Sequence, residues 1–132
     1  MDKMHFTPIG GKFRPLNFSL EVMFDAAEKF GSMSAAFDAI DKESKEGVAA
    51  IQWFIVRMAN DAELVRRAEG YDHDPMLSEA DVMIVKPWQY QLYKSAVLSA
   101  IDIGYEREVE DPKSEVDLGL EELNAKKGMA VG

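Results

Sequence analysis

The stretch from Val48 to Val65 restricts the fold of this chain more than any other. Val48, Ile51, Ile55, Met58, Ala62 and Val65 recur in steps of three and four, and Trp53, Phe54 and Val56 fill much of the remaining circumference. A helix that is apolar nearly all round cannot lie on a surface and belongs in the centre of a bundle. The spacing therefore predicts one long helix, capped by Ser44 and ending near Gly70, with the other elements packed around it. At 132 residues, 47% of them apolar and 30% charged, the chain reads as one globular domain that can bury a core without metals or disulfides. It has no cysteine, which rules out a disulfide framework and thiolate metal sites and fits a reducing cytoplasm.

Upstream, Lys3 to Asn17 reads as a β-hairpin closed by Gly10–Gly11, a pair suited to the positive φ angles of a type I′ turn. Pro8 and Pro15 cannot donate to a ladder and point to edges or irregular strand ends. Such a hairpin is marginal alone and must pack on the helices or on another subunit. Ser19 then caps a helix whose Leu20, Met23, Phe24, Ala27 and Phe30 share one face, with Glu21, Asp25, Glu28 and Lys29 opposite and Gly31 as its stop. Ser32 or Ser34 caps a second, short helix carrying Met33, Ala36, Phe37 and Ile40. The charged run from Asp41 to Glu46 leads into the long helix.

Downstream, Tyr71 to Pro75 reads as a loop. Ser78 and Asp81 form an S-x-x-D opening close to a capping box, predicting a short helix that ends before Pro87. Pro87 suits the first position of a last helix running through Trp88, Leu92, Ala96, Val97, Ala100 and Ile103 to Gly104. Ser95 and Ser99 would allow it to approach the long helix closely. Beyond it, apolar residues are too sparse to offset ordering entropy of roughly 1–2 kcal/mol per residue. The expected architecture is mainly α: a compact bundle of about five helices with an N-terminal hairpin over residues 1–105, then a flexible acidic tail over 106–132.

The formal net charge is −9, which repels nucleic-acid phosphate in the absence of a dense basic cluster. The opening MDKMHFTPIGG lacks the apolar core of a signal peptide. The longest apolar-rich run, Val48 to Ala59, falls short of the roughly 20 residues a membrane helix needs. Neither nucleic acid nor membrane is an expected partner. Tyr71-Asp72-His73-Asp74 is the one cluster resembling a metal or acid–base site, since carboxylates and imidazole suit divalent cations. It lacks the alternation and glycine of a calcium loop, and an acidic interhelical loop is more often solvated surface. The histidines are His5 and His73, no serine stands in a G-x-S-x-G context, and Gly10–Gly11 lacks the lysine–serine pair of a phosphate loop. Glu63 and Glu69 with Arg66 and Arg67 read as ordinary intrahelical pairing. Trp88, Tyr90 and Tyr93 could form a recognition surface, but their helical phase favours core. No enzyme activity and no cofactor is expected.

One resemblance rests on the order of these signals. Arg14-Pro-Leu-Asn-Phe-Ser-Leu20 follows a glycine-turn hairpin and precedes the helix end Glu28-Lys-Phe-Gly-Ser32. The apolar helix Ala49-Ala-Ile-Gln-Trp-Phe-Ile-Val-Arg-Met-Ala59 comes next, then Glu69-Gly-Tyr-Asp72 and a closing helix ending Ala100-Ile-Asp-Ile-Gly104. Over about residues 3 to 110 this arrangement resembles the tail assembly chaperones of long-tailed bacteriophages and prophages, including the gene-transfer-agent-like branch. The resemblance implies a small helical protein of the bacterial host cytoplasm that is absent from the finished virion. It would bind the tape-measure protein, keep it soluble and bring major tail-tube protein to it, and it would self-associate through the hairpin edge or exposed apolar faces. Many such chaperones have a longer, frameshifted form, and Lys126–Lys127 is compatible with a slippery codon pair. The family transfers no fixed binding residues. Arg14, Phe18, Tyr105, Arg107, Leu118, Leu120 and Leu123 are the candidate contacts, although the reading preferred for Arg14 is an ordinary exposed hairpin charge and that preferred for Phe18 is core. The alternatives are a virion structural protein, such as a tail-terminator or head–tail joining factor, and a small metal-dependent enzyme using Asp72, His73 and Asp74.

Overall fold

The computed structural model describes residues 4–106 and, beyond them, the two-residue strands Lys127–Gly128 and Ala130–Val131. The described domain is mainly helical with an N-terminal antiparallel hairpin. Strands β1 (His5–Ile9) and β2 (Lys12–Leu16) are followed by α1 (Leu20–Phe30), α2 (Met33–Asp41), α3 (Lys45–Ala68), a 3-10 turn (Glu79–Asp81) and α4 (Pro87–Tyr105). The expected tail lies outside the described residues apart from Glu106 and the two short strands, as do the candidate contacts Arg107, Leu118, Leu120 and Leu123.

Helix α3 is the 24-residue axis of the domain and touches α1, α2, α4, β2 and the 3-10 turn. Ile51, Phe54, Ile55 and Met58 are fully buried along it. Phe54 stacks on Phe30 of α1 at 5.7 Å between ring centres, and Trp53 meets both rings edge-on at 5.6 and 5.0 Å. The starts of α1, α2 and α3 have a local cause. Ser19, Ser32 and Ser44 accept hydrogen bonds from the backbone N–H of Val22, Ala35 and Gly47, satisfying donors that the helix cannot. Gly31, at φ 101°, closes α1.

The hairpin turns at Gly10 and Gly11, with φ of 62° and 80°, values that a side chain would make costly. The register pairs His5 with Leu16, Phe6 with Pro15, Thr7 with Arg14, Pro8 with Phe13 and Ile9 with Lys12. A two-residue turn makes its flanking pair hydrogen-bonded, so the Phe6–Pro15 and Pro8–Phe13 pairs are the non-hydrogen-bonded ones. Both prolines thus stand where an N–H would point out of the ladder. They remove edge donors without breaking a rung. The inner face (Thr7, Ile9, Arg14, Leu16) is buried, with β2 against α3 and β1 against α4.

Three expectations need correction. The segment after Ser78 forms only a three-residue 3-10 turn, leaving four α-helices among the described residues. Asp81 does accept from the Ser78 N–H at 2.8 Å, but Gln52 of α3 captures the Val82 carbonyl at 2.9 Å, and the residue before Pro87 is biased away from helix. Helix α1 is rotated from its predicted phase: it buries Val22 and Ala26, Met23 and Phe30 pack partly, and Leu20 and Phe24 are 64% and 59% exposed. Small side chains on the inner face let α1 sit close to its neighbours, leaving its larger apolar residues outside. Helix α4 likewise buries Tyr93, Ala96, Val97, Ala100 and Ile101 while Trp88 is 64% exposed. It runs through Gly104 to Tyr105. Gly104 is not a stop but a contact point, since a Cβ there would lie 2.5 Å from the Phe18 carbonyl oxygen and 2.8 Å from its Cβ.

Candidate functional site: clamp and interaction surfaces

The acidic loop after α3 is held by a buried carboxylate. Glu63 is 1% exposed. Its Oε1 accepts from Arg66 Nη1 at 2.7 Å, and its Oε2 accepts from Arg67 Nε at 2.9 Å and from the Asp74 N–H at 2.8 Å. The same arginines reach onward, Arg66 to the Asp72 carbonyl and Arg67 to the Asp74 carbonyl at 2.8 Å. Asn60 makes a two-way clamp on Leu77, donating to its carbonyl and accepting from its N–H. From the other side, Arg14 donates to the Pro75 carbonyl and Lys12 Nζ sits 2.6 Å from Asp74 Oδ1. The loop is thereby fastened to both α3 and the hairpin. Pairing within α3 was legible in the sequence, whereas the role of Glu63 as a three-bond anchor was not, because its third donor lies in the loop.

Electrostatics follow from these contacts. Burial alone would raise the Glu63 carboxyl, but the hydrogen bonds from Arg67, the Asp74 amide and Arg66 outweigh it and hold the group below the usual carboxylate range. The Lys12 hydrogen bond, opposed by burial and reinforced by the charges of Lys12, Arg66 and Arg14, does the same for Asp74. As for the sequence cluster Asp72, His73 and Asp74, the structure leaves Asp72 and His73 exposed and turns Asp74 between Lys12 and Arg66, the latter at 3.3 Å. Among the described residues no three His, Asp or Glu side chains converge as metal ligands.

The remaining candidate contacts separate sharply. Arg14 is not an exposed charge: it is 5% exposed, drawn inward by the Pro75 carbonyl. Phe18 is core, 7% exposed, with its ring 5.5 Å from that of Tyr105. Tyr105 is 52% exposed and its hydroxyl donates to Met23 Sδ at 3.4 Å.

Among the described residues, three of the open apolar surfaces bear on the candidate contacts. On the outer face of the hairpin, Phe6 and Phe13 are exposed, while Pro8 is half-buried and Pro15 buried. The β1 edge itself is occupied, since Tyr93 of α4 donates to the outward Pro8 carbonyl at 2.6 Å. The second surface joins Leu20 and Phe24 of α1 to a cleft of about 170 Å³ lined by Phe18, Leu20, Met23, Gly104 and Tyr105. The third comprises Met83, Val85 and Trp88 beside a cleft of about 400 Å³ between the α2–α3 link and the start of α4, lined by Val48, Ile84, Lys86 and Tyr90 among others. No described helix is long and apolar enough to cross a membrane.

No protein-family model matches the chain, and comparison with curated proteins and with solved structures returned no match.

Proposed function

We propose that this protein is a non-catalytic assembly chaperone of phage-tail type that binds the tape-measure protein, keeps it soluble and helps recruit tail-tube subunits. In this reading it acts in the cytoplasm of the bacterial host, self-associates and leaves before the virion is complete. The observation that carries the reading is the set of open apolar surfaces on a domain whose core is already filled. Phe6, Phe13, Leu20, Phe24, Val85 and Trp88 are each more than half exposed, although the same chain buries Phe54, Ile55 and Met58 completely. Apolar side chains gathered on the outside of a well-packed domain mark places where another protein binds. The particular partner class comes from the resemblance to tail assembly chaperones.

Co-expression tests it. The tape-measure protein encoded beside this gene should stay in the soluble fraction when both are made together and precipitate when made alone. Equal solubility in the two lysates would remove the reading.

A further inference from the structure

Helix α1 has two apolar faces, and only one is needed by the fold. Val22 and Ala26 are fully buried. Leu20 and Phe24, one turn apart on another side, are 64% and 59% exposed, with half-buried Ala27 completing the stripe. At the start of α1 the stripe runs into the cleft formed by Phe18, Met23, Gly104 and Tyr105, so it has a depression at one end as well as a ridge. Large side chains at i and i+4 beside such a depression match the way an amphipathic helix is gripped.

Charge around the stripe selects the kind of helix. On its α3-facing flank stand Glu21, Asp25 and Glu28. One cation there is Arg57, 2.8 Å from Asp25, 3.9 Å from Glu21 and 3.7 Å from Asp61. Lys29 also faces α3, over the rings of Phe30 and Trp53 at 5.8 and 6.0 Å, and two cations against the four carboxylates Glu21, Asp25, Glu28 and Asp61 still leave this side of α1 net negative. A second copy of α1 would set like charges against each other, which disfavours self-pairing here.

We propose that this face of α1 is a docking site for a partner helix with a large-residue apolar stripe flanked by lysine or arginine. Leu20, Phe24 and Tyr105 would provide the apolar grip, and Glu21 and Glu28 the complementary charge. This deepens the assembly-chaperone reading by naming the surface and the partner chemistry, and rests on that reading only for the natural partner's identity.

The test uses the full chain and a labelled Leu/Lys helical peptide of about 18 residues, followed by fluorescence anisotropy. Leu20→Ser with Phe24→Ser should weaken binding at least about tenfold while leaving the circular dichroism and melting of the protein unchanged. Val85→Ser with Trp88→Ser, on a different open surface, should leave the affinity as it was. Replacing the peptide lysines by glutamates should abolish binding. Undiminished affinity in the α1 variant, equal loss in the Val85/Trp88 variant, or equal binding of the glutamate peptide would each overturn the proposal. So would a concentration-dependent dimer of the wild type that the α1 substitutions dissolve, since the face would then belong to a second copy. Failure of tape-measure co-expression alongside peptide binding localised to α1 would sink the chaperone reading and leave this site standing.

Discussion

Replacing Glu63 by glutamine removes one charge and little volume from the centre of the loop clamp. The wild-type carboxylate accepts three hydrogen bonds, from Arg66 at 2.7 Å, Arg67 at 2.9 Å and the Asp74 amide at 2.8 Å. Bonds to a charged group contribute about 1.5–3 kcal/mol each. Glutamine with its oxygen at the Oε2 position still accepts from Arg67 and the Asp74 amide, without the charge that strengthens those bonds, while its N–H₂ faces Arg66 and that bond is lost. The Arg66 and Arg67 side chains are 19% and 28% exposed, and water recovers part of their solvation. The expected loss is about 2–4 kcal/mol, near the lower edge of the roughly 3–5 kcal/mol for breaking a fully buried pair. For a domain of this size that lowers the melting temperature on the order of 10–20 °C. Urea denaturation followed by tryptophan fluorescence measures it, with Glu46→Gln as the reference. Glu46 pairs with Lys42 at 2.9 Å in the open, and its loss should cost about 0–0.5 kcal/mol. The pH dependence has a definite sign. Because the Glu63 and Asp74 carboxyls are lowered in the folded state, their stabilisation is complete above the ordinary carboxylate value of about 4 and is lost as pH falls through the depressed folded values. Wild-type stability should thus decline more steeply than that of Glu63→Gln in the acid range. A Glu63→Gln loss no larger than that of Glu46→Gln, or parallel acid profiles, would refute the clamp.

Three further outcomes follow from packing. Gly104→Ala places a methyl group 2.5 Å from the Phe18 carbonyl oxygen and should destabilise by about 1–3 kcal/mol, read from thermal melts with helical content retained. Phe54→Ala should cost about 3–5 kcal/mol, whereas Phe24→Ala, on the open side of α1, should stay within about 0.5 kcal/mol; equal effects would mean that Phe24 belongs to the core. Tyr93→Phe removes the hydroxyl that donates to Pro8 at 2.6 Å and should cost about 1 kcal/mol, with faster amide exchange in the hairpin than in α3.

The elements legible in the sequence were those with local causes. The Gly10–Gly11 turn, the serine caps, the Gly31 stop and the long α3 all follow from backbone geometry and hydrogen-bond satisfaction within a few residues. The predicted helix after Ser78 failed because its local opening competes with a distant one: Gln52 takes the Val82 carbonyl. The candidate contacts divided for a similar reason. Nothing near Arg14 in the chain announces that Pro75 will draw it inside, and nothing near Phe18 announces Gly104.

The sequence by itself determined where each long helix begins, that α3 is central, and that a tight hairpin precedes the bundle. These depend on periodicity and on groups adjacent in the chain. Tertiary structure alone decided which face of α1 and α4 turns inward. Both helices carry apolar residues on two sides, and Leu20 and Phe24 look as suited to a core as Val22 and Ala26. The smaller pair is buried because it lets the helix approach α2 and α3 closely, and close approach is a property of neighbours that a helical wheel does not contain. The same decision left Leu20 and Phe24 on the surface, where the proposed docking face lies.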